Sequence, residues 1–511
     1  MKYYLSIFGC QMNKSDAERI ASVLESIGWM ACSKEEDADL IAVIACSVRQ
    51  TAIDRVYGRA LKYEGLKKKK PNLKTILTGC VLDFDKKKLR GKFDIICDIR
   101  EIDVILKEVR LKDPEARGYI PWDPSASLSR SQDDAGYLSI PPKYQSSFQA
   151  YVPIMTGCNN FCSYCVVPHT RGREYSRPEE DILNEVKHLI QNGYKEITLI
   201  GQNVNSYRGV IINQTKNKLS FRAKSLCRAL RRDEVESLSR ACRGKSLLTK
   251  SVFTNRKRSL RSSSIRCALE DSVGMTEKNA SHILAFPALL RLINSIPGDF
   301  WIRFATSHPK DMSDELINAI AECEKITPYI HIPIQAGSDK ILKAMNRKYT
   351  KKHYLDLIKK IKKKIPAVML STDIIVGFPG ETEEDFEETV AVFKKIKYTM
   401  AYIARYSPRP GTAASKMPDN VNHEEKARRE HILTEILKGT ALENNKKFIG
   451  KTVRVLIERQ GEDIYFGKTA QFVNVKINQF TPFIKEGTAI GQFVNVKITN
   501  ATSFGMEGAI N

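Results

Sequence analysis

Cys158, Cys162 and Cys165 stand in the spacing C-x3-C-x2-C inside the stretch TGCNNFCSYCVVPHTRGREYSRP, residues 156–178. Disulfide pairing would leave one of the three over. Three soft thiolates in one short loop instead suit an iron–sulfur cube whose fourth iron stays open to another ligand. Zinc is the rival reading, with His169 as a fourth ligand. Structural zinc sites usually draw two cysteine pairs from separate hairpins, however, and the sequence holds no second close pair.

A second set of cysteines is defined by position rather than spacing. Residues 2–9, 39–45 and 73–79 read as three apolar strand-like runs, and each stops at a cysteine: Cys10, Cys46 and Cys80. Helical periodicity over Ser15–Ser26 and Gln50–Tyr63 separates them, so the order βαβαβ predicts a parallel sheet. Ligands gather at the carboxyl ends of such strands, where three loops would bring the cysteines together. Any one of them alone would read as a small core residue; the repeated position argues otherwise. Cys32, Cys97 and Cys323 show no ligand spacing and read as buried residues. Twelve cysteines in a chain of 511 residues with no leader-like start point to metal ligation rather than a disulfide framework, and to a cytoplasmic location.

The first triad, with Tyr164 immediately before its last cysteine, resembles the radical S-adenosylmethionine (SAM) enzymes, and VVPHTRGREYSRP resembles the methylthiotransferases that modify tRNA. FGCQMN (8–13), ACSVR (45–49) and TGC (78–80) are similar to the N-terminal domain of that family, although Ala45 stands where Thr is expected and Val81-Leu82-Asp83 where an Ala-Gln pair is more usual. The resemblance implies an α/β chain: an N-terminal flavodoxin-like parallel-sheet domain (1–120), a linker (121–148), a central partial (β/α) radical-SAM barrel (149–445) and a small all-β TRAM barrel (446–511). It implies two [4Fe–4S] clusters, an auxiliary one on Cys10, Cys46 and Cys80 and a SAM-binding one on Cys158, Cys162 and Cys165. The implied activity is attachment of a methylthio group to C2 of N6-isopentenyladenosine beside the anticodon, with SAM as methyl donor and radical source. Two branches of the family share all six cysteines and act on threonylcarbamoyl-adenosine or on a ribosomal protein aspartate. A zinc-dependent RNA-binding protein without catalysis is the rival from another class. The implied partners are the tRNA anticodon stem-loop and an electron donor such as flavodoxin or ferredoxin, with the chain acting as a monomer away from membranes.

Strand and helix patterns alternate from Ala150: strands within 195–207, 299–306, 329–338, 367–382 and 400–412, and helices over Pro178–Asn192, 313–324, 350–364 and 383–396. Barrel logic puts active residues at strand carboxyl ends. There, by the family's order, Gly201, Gln202 and Asn203 would approach the methionine moiety of SAM, Ser371 and Asp373 the ribose, and Gly377 to Glu381 the adenine, with Tyr164, Gln335 and Arg405 on the same face. Taken singly, each could equally be structural.

The net charge of +23 favours a polyanionic partner. Nearly half of it lies between Gly209 and His282, with 17 Lys/Arg against 6 Asp/Glu and no sustained period, which reads as a basic insertion into a loop. The run KKKK (67–70) reads as an exposed turn. Near the C-terminus QFVNVKI occurs twice, at 471–477 and 492–498, predicting two similar strands of one barrel. Small basic barrels commonly grip nucleic acid, and Lys451, Arg454 and Lys468, with Arg171 and Arg173 near the cysteines, are the candidate RNA contacts.

Overall fold

The computed structural model describes residues 1–48, 50–102, 106, 137–210, 283–462, 464–478 and 489–510. The chain forms two compact units, one of Met1–Arg208 with Ala285–Asn511 and one of Gly209–Leu284. Most of the second unit, and with it most of the expected basic insertion, lies outside the described residues. Its two ends belong to paired strands, Arg208–Val210 and Ile283–Ala285.

In the first unit, β1 (Lys2–Phe8), β2 (Met30–Ala31), β3 (Leu40–Cys46), β4 (Lys74–Cys80) and β5 (Ile95–Ile96) make a parallel sheet in the order β2-β1-β3-β4-β5. The run LIAVIAC is buried throughout, because both faces of the sheet are covered. Leu40, Ala42 and Ile44 meet the helix α1 (Gln11–Ser26), while Ile41, Val43 and Ala45 meet α2 (Gln50–Lys69). Helix α1 begins four residues before the expected Ser15, since Cys10 is its N-cap and the Asn13 side chain accepts from the Cys10 N–H at 3.3 Å. Helix α2 outruns its expected end at Tyr63. Lys67–Lys69, expected on a turn, form its last turn, where cations oppose the negative end of the helix dipole.

The expected linker begins outside the described residues, but its later part is packed. Tyr137 and Leu138 sit in the N-terminal core, and the Lys143 N–H donates to the Glu18 carbonyl at 2.9 Å. The central region carries six parallel strands in two groups of three. Strands β6 (Gln149–Pro153), β9 (Glu196–Ile200) and β12 (Trp301–Phe304) form one; β13 (Tyr329–His331), β14 (Met369–Val376) and β15 (Met400–Arg405) form the other. Helices cover the outer face, as where Phe286 meets Phe304 edge-on at 5.5 Å. Helices Glu179–Gln191, Asp314–Glu322, Lys351–Lys364 and Glu383–Ile396 fall where the periodicity placed them. Phe286–Asn294, Asp339–Ala344 and the 24-residue His423–Lys446 had not been anticipated. The last of these buries Leu433, Leu437 and Ala441 at helical spacing, but Lys426, Arg429, Asn444 and Asn445 flank them, so the apolar stripe is short and the buried face polar at both ends.

The C-terminal strands Thr452–Gln460, Tyr465–Thr469, Asn474–Ile477, Phe493–Thr502 and Gly505–Ile510 close into a barrel. In both copies of QFVNVKI the second valine and the isoleucine point inward: Val475 and Ile477, Val496 and Ile498. The barrel docks on the amino ends of the central strands. Phe493 meets Trp301, Gln149 donates to Glu458 at 2.8 Å, and Arg303 donates to the carbonyls of Thr469 and Ala470 at 2.9 and 2.8 Å.

Candidate active site

From β6 the chain passes through β7 (Met155–Thr156) into the cysteine loop. Gly157 turns there with φ +78°, and a side chain on it would run into the Arg173 carbonyl 1.9 Å from an added Cβ, so only glycine fits. The loop closes on itself, with Cys158 N–H donating to Gly172 at 3.2 Å and Cys165 N–H to Cys162 at 2.9 Å. Phe161 is held at φ +48°, its carbonyl accepting from the Asn346 side chain at 2.8 Å. Burial pushes the Cys158 thiol up and the Cys165 thiol to about 12, with the neighbouring Cys162 adding to both. As thiolates they therefore need a cationic centre among them. Arg347 supplies part of that charge: its Nη1 lies 3.3 Å from Cys162 Sγ, while Nε donates to the Tyr349 hydroxyl at 2.7 Å and Nη2 to the Pro333 carbonyl at 3.0 Å. Burial also holds the Tyr164 hydroxyl well above its ordinary range. A cavity of about 290 Å³ borders the loop, lined by Cys162 and Cys165 with Phe161, His169, Thr412 and Lys416.

Beside the loop, the carboxyl ends of β9 and β12 present polar atoms without partners. Gln202 Oε1, Asn203 Oδ1, both amide atoms of Asn205 and Ser307 Oγ are buried and unbonded, a state that native interiors seldom leave uncompensated. The neighbouring groups are fixed: Asn203 Nδ2 donates to Asp311 at 2.7 Å, and Thr306 Oγ1 to the Gly201 carbonyl at 2.5 Å. The unbonded atoms are thus set on a fixed frame at the strand ends. Gln335 takes φ +75°, its N–H donating to the Asp373 carbonyl at 2.9 Å. Ser371 and Asp373 are brought together by a residue that periodicity did not single out, His331, whose Nδ1 is 2.8 Å from Ser371 Oγ and whose Nε2 is 3.5 Å from Asp373.

Two expected SAM contacts point elsewhere. Asp373 is in register with Tyr402, whose ring meets His331 on the concave face; Arg405 lies three residues further, on the opposite side of the strand, where its Nε donates to Glu430 at 2.6 Å. Glu381 is buried, and its carboxylate accepts from the Gly377 N–H at 2.6 Å and from Arg429 at 2.7 Å. It ties a turn to the long helix rather than facing the unbonded atoms.

Cys46 and Cys80 are cross-strand neighbours in β3 and β4, and Cys10 caps α1 at the end of β1. Gly79 precedes Cys80 at φ +106°, where a Cβ would stand 2.5 Å from the Ala45 carbonyl. The pair shares a hydrogen bond that, with burial, holds the Cys80 proton well above the usual thiol range, while the same bond lowers Cys46. Burial, then the neighbouring Cys80, raises Cys10. Three cysteines at neighbouring strand ends match the donor set of a metal cluster, whose charge would hold them as thiolates. Among the described residues no three His, Cys, Asp or Glu side chains gather as a single-ion site; a cube makes a different demand, since each cysteine binds its own iron.

Arg171, expected to meet RNA, is instead 2% exposed and ion-paired with Asp16, which removes it from any surface. Arg173 is exposed, its guanidinium 4.7 Å from the Phe161 ring centre. Arg454 pairs with Asp299, and Lys468 reaches both Glu458 oxygens at 2.7 Å. Lys451 is exposed. Among the described residues no helix is long and apolar enough to cross a membrane.

Family models place this geometry. Residues 2–98 match the uncharacterized protein family UPF0004, residues 152–249 and 271–393 the radical SAM superfamily, and residues 446–510 the TRAM domain. The radical SAM match thus runs past Arg208 and breaks only at 250–270. Three tRNA-2-methylthio-N(6)-dimethylallyladenosine synthases are similar over nearly the whole chain. That of Clostridium novyi is 36% identical over 513 residues, covering 96% of each chain. That of Clostridium botulinum (strain Langeland) is 37% identical over 96% of this chain and 97% of its own. That of Carboxydothermus hydrogenoformans is 38% identical over 89% and 88%. Among solved structures, the cobalamin-dependent SAM radical enzyme OxsB aligns with TM-score 0.45 and 11% identity over 85% of this chain and 56% of its own. The radical SAM methyltransferase TsrM of Kitasatospora setae aligns with 0.43 and 12% over 81% and 75%. Radical SAM membership brings with it a [4Fe–4S] cluster and SAM. A cysteine loop against a partly barrelled sheet, a sheet of cysteine-tipped strands before it and a closed barrel after it make this chain a transferase of the tRNA-2-methylthio-N(6)-dimethylallyladenosine synthase family.

Proposed function

We propose that the chain attaches a methylthio group to C2 of N6-isopentenyladenosine next to the anticodon of tRNA, with a second [4Fe–4S] cluster on Cys10, Cys46 and Cys80 supplying or relaying sulfur. The observation that carries this reading is the pairing of two cysteine triads at strand carboxyl ends, joined by the buried Arg171, which reaches from beside one triad to Cys80 of the other. Relatives named for this reaction support the isopentenyl-adenosine branch over its alternatives. A reduced cube on Cys158, Cys162 and Cys165 would supply, with SAM, a radical able to remove hydrogen from an unactivated carbon, which acid–base side chains cannot do.

The protein's own residues bind, orient and exclude water. The unbonded atoms of Gln202, Asn203, Asn205 and Ser307 would satisfy the polar groups of SAM, while Gly201, beside them, leaves room for the Met155 side chain that an added Cβ would meet at 2.4 Å. Ser371, Asp373 and His331 would take hydroxyl groups of its ribose, and Gln335 and Gly377 would frame it. Arg173 and Phe161 offer a cation and a ring face to a nucleotide at the mouth of the cavity, and Lys451 a cation to the backbone. The working division is 1–120, 149–445 and 446–511, acting as a cytoplasmic monomer fed by flavodoxin or ferredoxin.

The test compares two triple variants. Replacing Cys158, Cys162 and Cys165 by Ala should abolish all SAM cleavage. Replacing Cys10, Cys46 and Cys80 should leave 5′-deoxyadenosine formation with dithionite while removing the methylthio product. Each should lower iron by about four per chain. A second variant that keeps its full iron, or still makes methylthioadenosine by nucleoside mass spectrometry, rejects the reading.

A further inference from the structure

Arg171 follows the short helix Val167–Thr170 and leaves the catalytic part of the chain to enter the cysteine end of the N-terminal sheet. Its guanidinium is among the most deeply buried large side chains. Every edge is engaged. Nη1 and Nη2 donate to Asp16, Nη1 also to the Tyr137 hydroxyl at 3.0 Å, and Nε, the single N–H on the inner edge, lies 2.9 Å from Cys80 Sγ. Asp16 already neutralises the charge, and a structural cross-link needs only that bidentate pair. The Nε contact with sulfur is an addition, and it reaches the cysteine at the end of β4. The first triad also has a guanidinium N–H on sulfur, Arg347 Nη1 at 3.3 Å from Cys162.

We propose that Arg171 is the positioning residue of the auxiliary cluster: it fixes the Cys80 thiolate through an N–H···S hydrogen bond and raises the reduction potential of the cluster. The proposal rests on the auxiliary-cluster reading above. A cluster that takes up one electron becomes one charge more negative. An N–H donor on a ligating sulfur and a fixed cation stabilise that added charge more than the oxidised state, and a dry interior enlarges the difference. Asp16 works in the opposite direction, because its carboxylate offsets the guanidinium. The two residues therefore carry opposite signs: losing the cation lowers the potential, and losing the anion raises it. A cross-link that only held the two sheets together would give both substitutions the same direction.

The experiment uses the full chain with Cys158, Cys162 and Cys165 changed to Ala, so that iron can bind only on the other triad, reconstituted anaerobically and titrated with dithionite and mediators while the reduced cluster is followed by electron paramagnetic resonance. Arg171→Gln should shift the midpoint downward, Arg171→Lys less so, and Asp16→Asn upward, each with iron content close to the parent. Should Arg171→Gln lose its iron, Arg171→Lys and Asp16→Asn, which keep a buried cation, decide the proposal by the direction of their shifts. Midpoints unchanged in all variants at full iron, or shifts of one sign, overturn the role of Arg171 and leave the cluster assignment standing. A parent that binds no iron overturns the cluster assignment and the proposal together.

Discussion

Phe472, the aromatic residue of the first QFVNVKI copy, stacks on Tyr329 with ring centroids 4.9 Å apart and planes 28° from parallel. Its counterpart in the second copy, Phe493, meets Trp301 at 4.6 Å. The sequence repeat is thus also a repeat of docking contacts between the barrel and the central strands. Both rings are half-buried, so Phe472→Ala and Phe493→Ala should each cost about 2 kcal/mol, less than a fully buried Phe loses. The double variant should expose the connection between Lys447 and Thr452 to protease while the barrel itself stays folded. Unchanged cleavage in the double variant would show that the rings do not secure the barrel.

Glu18 provides a pH signature. One of its oxygens accepts from the Gln145 N–H at 3.2 Å, the other has no partner, and burial raises the carboxyl to about 7 against nearby Arg19 and Lys14. The folded state therefore holds a proton that the unfolded state releases near 4.5. Stability from this site is full below the unfolded value and falls as pH rises towards about 7. Glu18→Gln keeps the acceptor and should flatten that decline, gaining at most about 3 kcal/mol at pH 8 relative to the parent. Denaturation midpoints at pH 5 and pH 8 check this; parallel pH profiles for the two proteins would reject it.

Arg208–Val210 and Ile283–Ala285 are hydrogen-bonded neighbours, so a short bridge suffices where 72 residues now run, from 211 to 282. Neighbouring strands lie only about 5 Å apart. Replacing 211–282 by a short Gly/Ser turn should preserve iron content and SAM cleavage. Loss of both would make the segment integral to the fold.

RNA affinity should depend unequally on the three C-terminal cations. Lys468 and Arg454 are held by Glu458 and Asp299, whereas Lys451 is exposed. Lys451→Ala should reduce the slope of log affinity against log salt by about 0.9, and Lys468→Ala by less, because a paired cation releases fewer counterions. Truncation after Lys447, beyond the long helix, should flatten the slope further. An unchanged slope on truncation would remove the barrel from RNA binding.

The cysteines and the buried strands were legible because each obeys a local rule. A three-thiol spacing has few uses, and a strand buried on both faces, such as LIAVIAC, reads as an unbroken apolar run. Arg171 and Arg347 follow no such rule. Their sulfur partners are 91 and 185 residues away, and nothing in the neighbouring sequence marks an arginine as buried. The side of β15 that Arg405 occupies was readable by alternation from Tyr402, provided the concave face was known. Helix His423–Lys446 escaped because its apolar stripe is only Leu433, Leu437 and Ala441, and the ends of its buried face are polar, the first held by pairs such as Arg429 with Glu381 and Lys426 with Asp419.

The seat of the C-terminal barrel gives the central half-barrel a floor. Glu196 and Trp301, the first residues of their strands, and Arg303, two residues on from Trp301, are each less than 8% exposed, and Arg303 is anchored to the barrel's carbonyls. With the barrel seated at that end, the half-barrel would work as a cup rather than a tube: reactants and spent products would share the rim at the strands' carboxyl ends. Damage to the floor should therefore appear as leakage, SAM consumed without product, before it appears as lost binding.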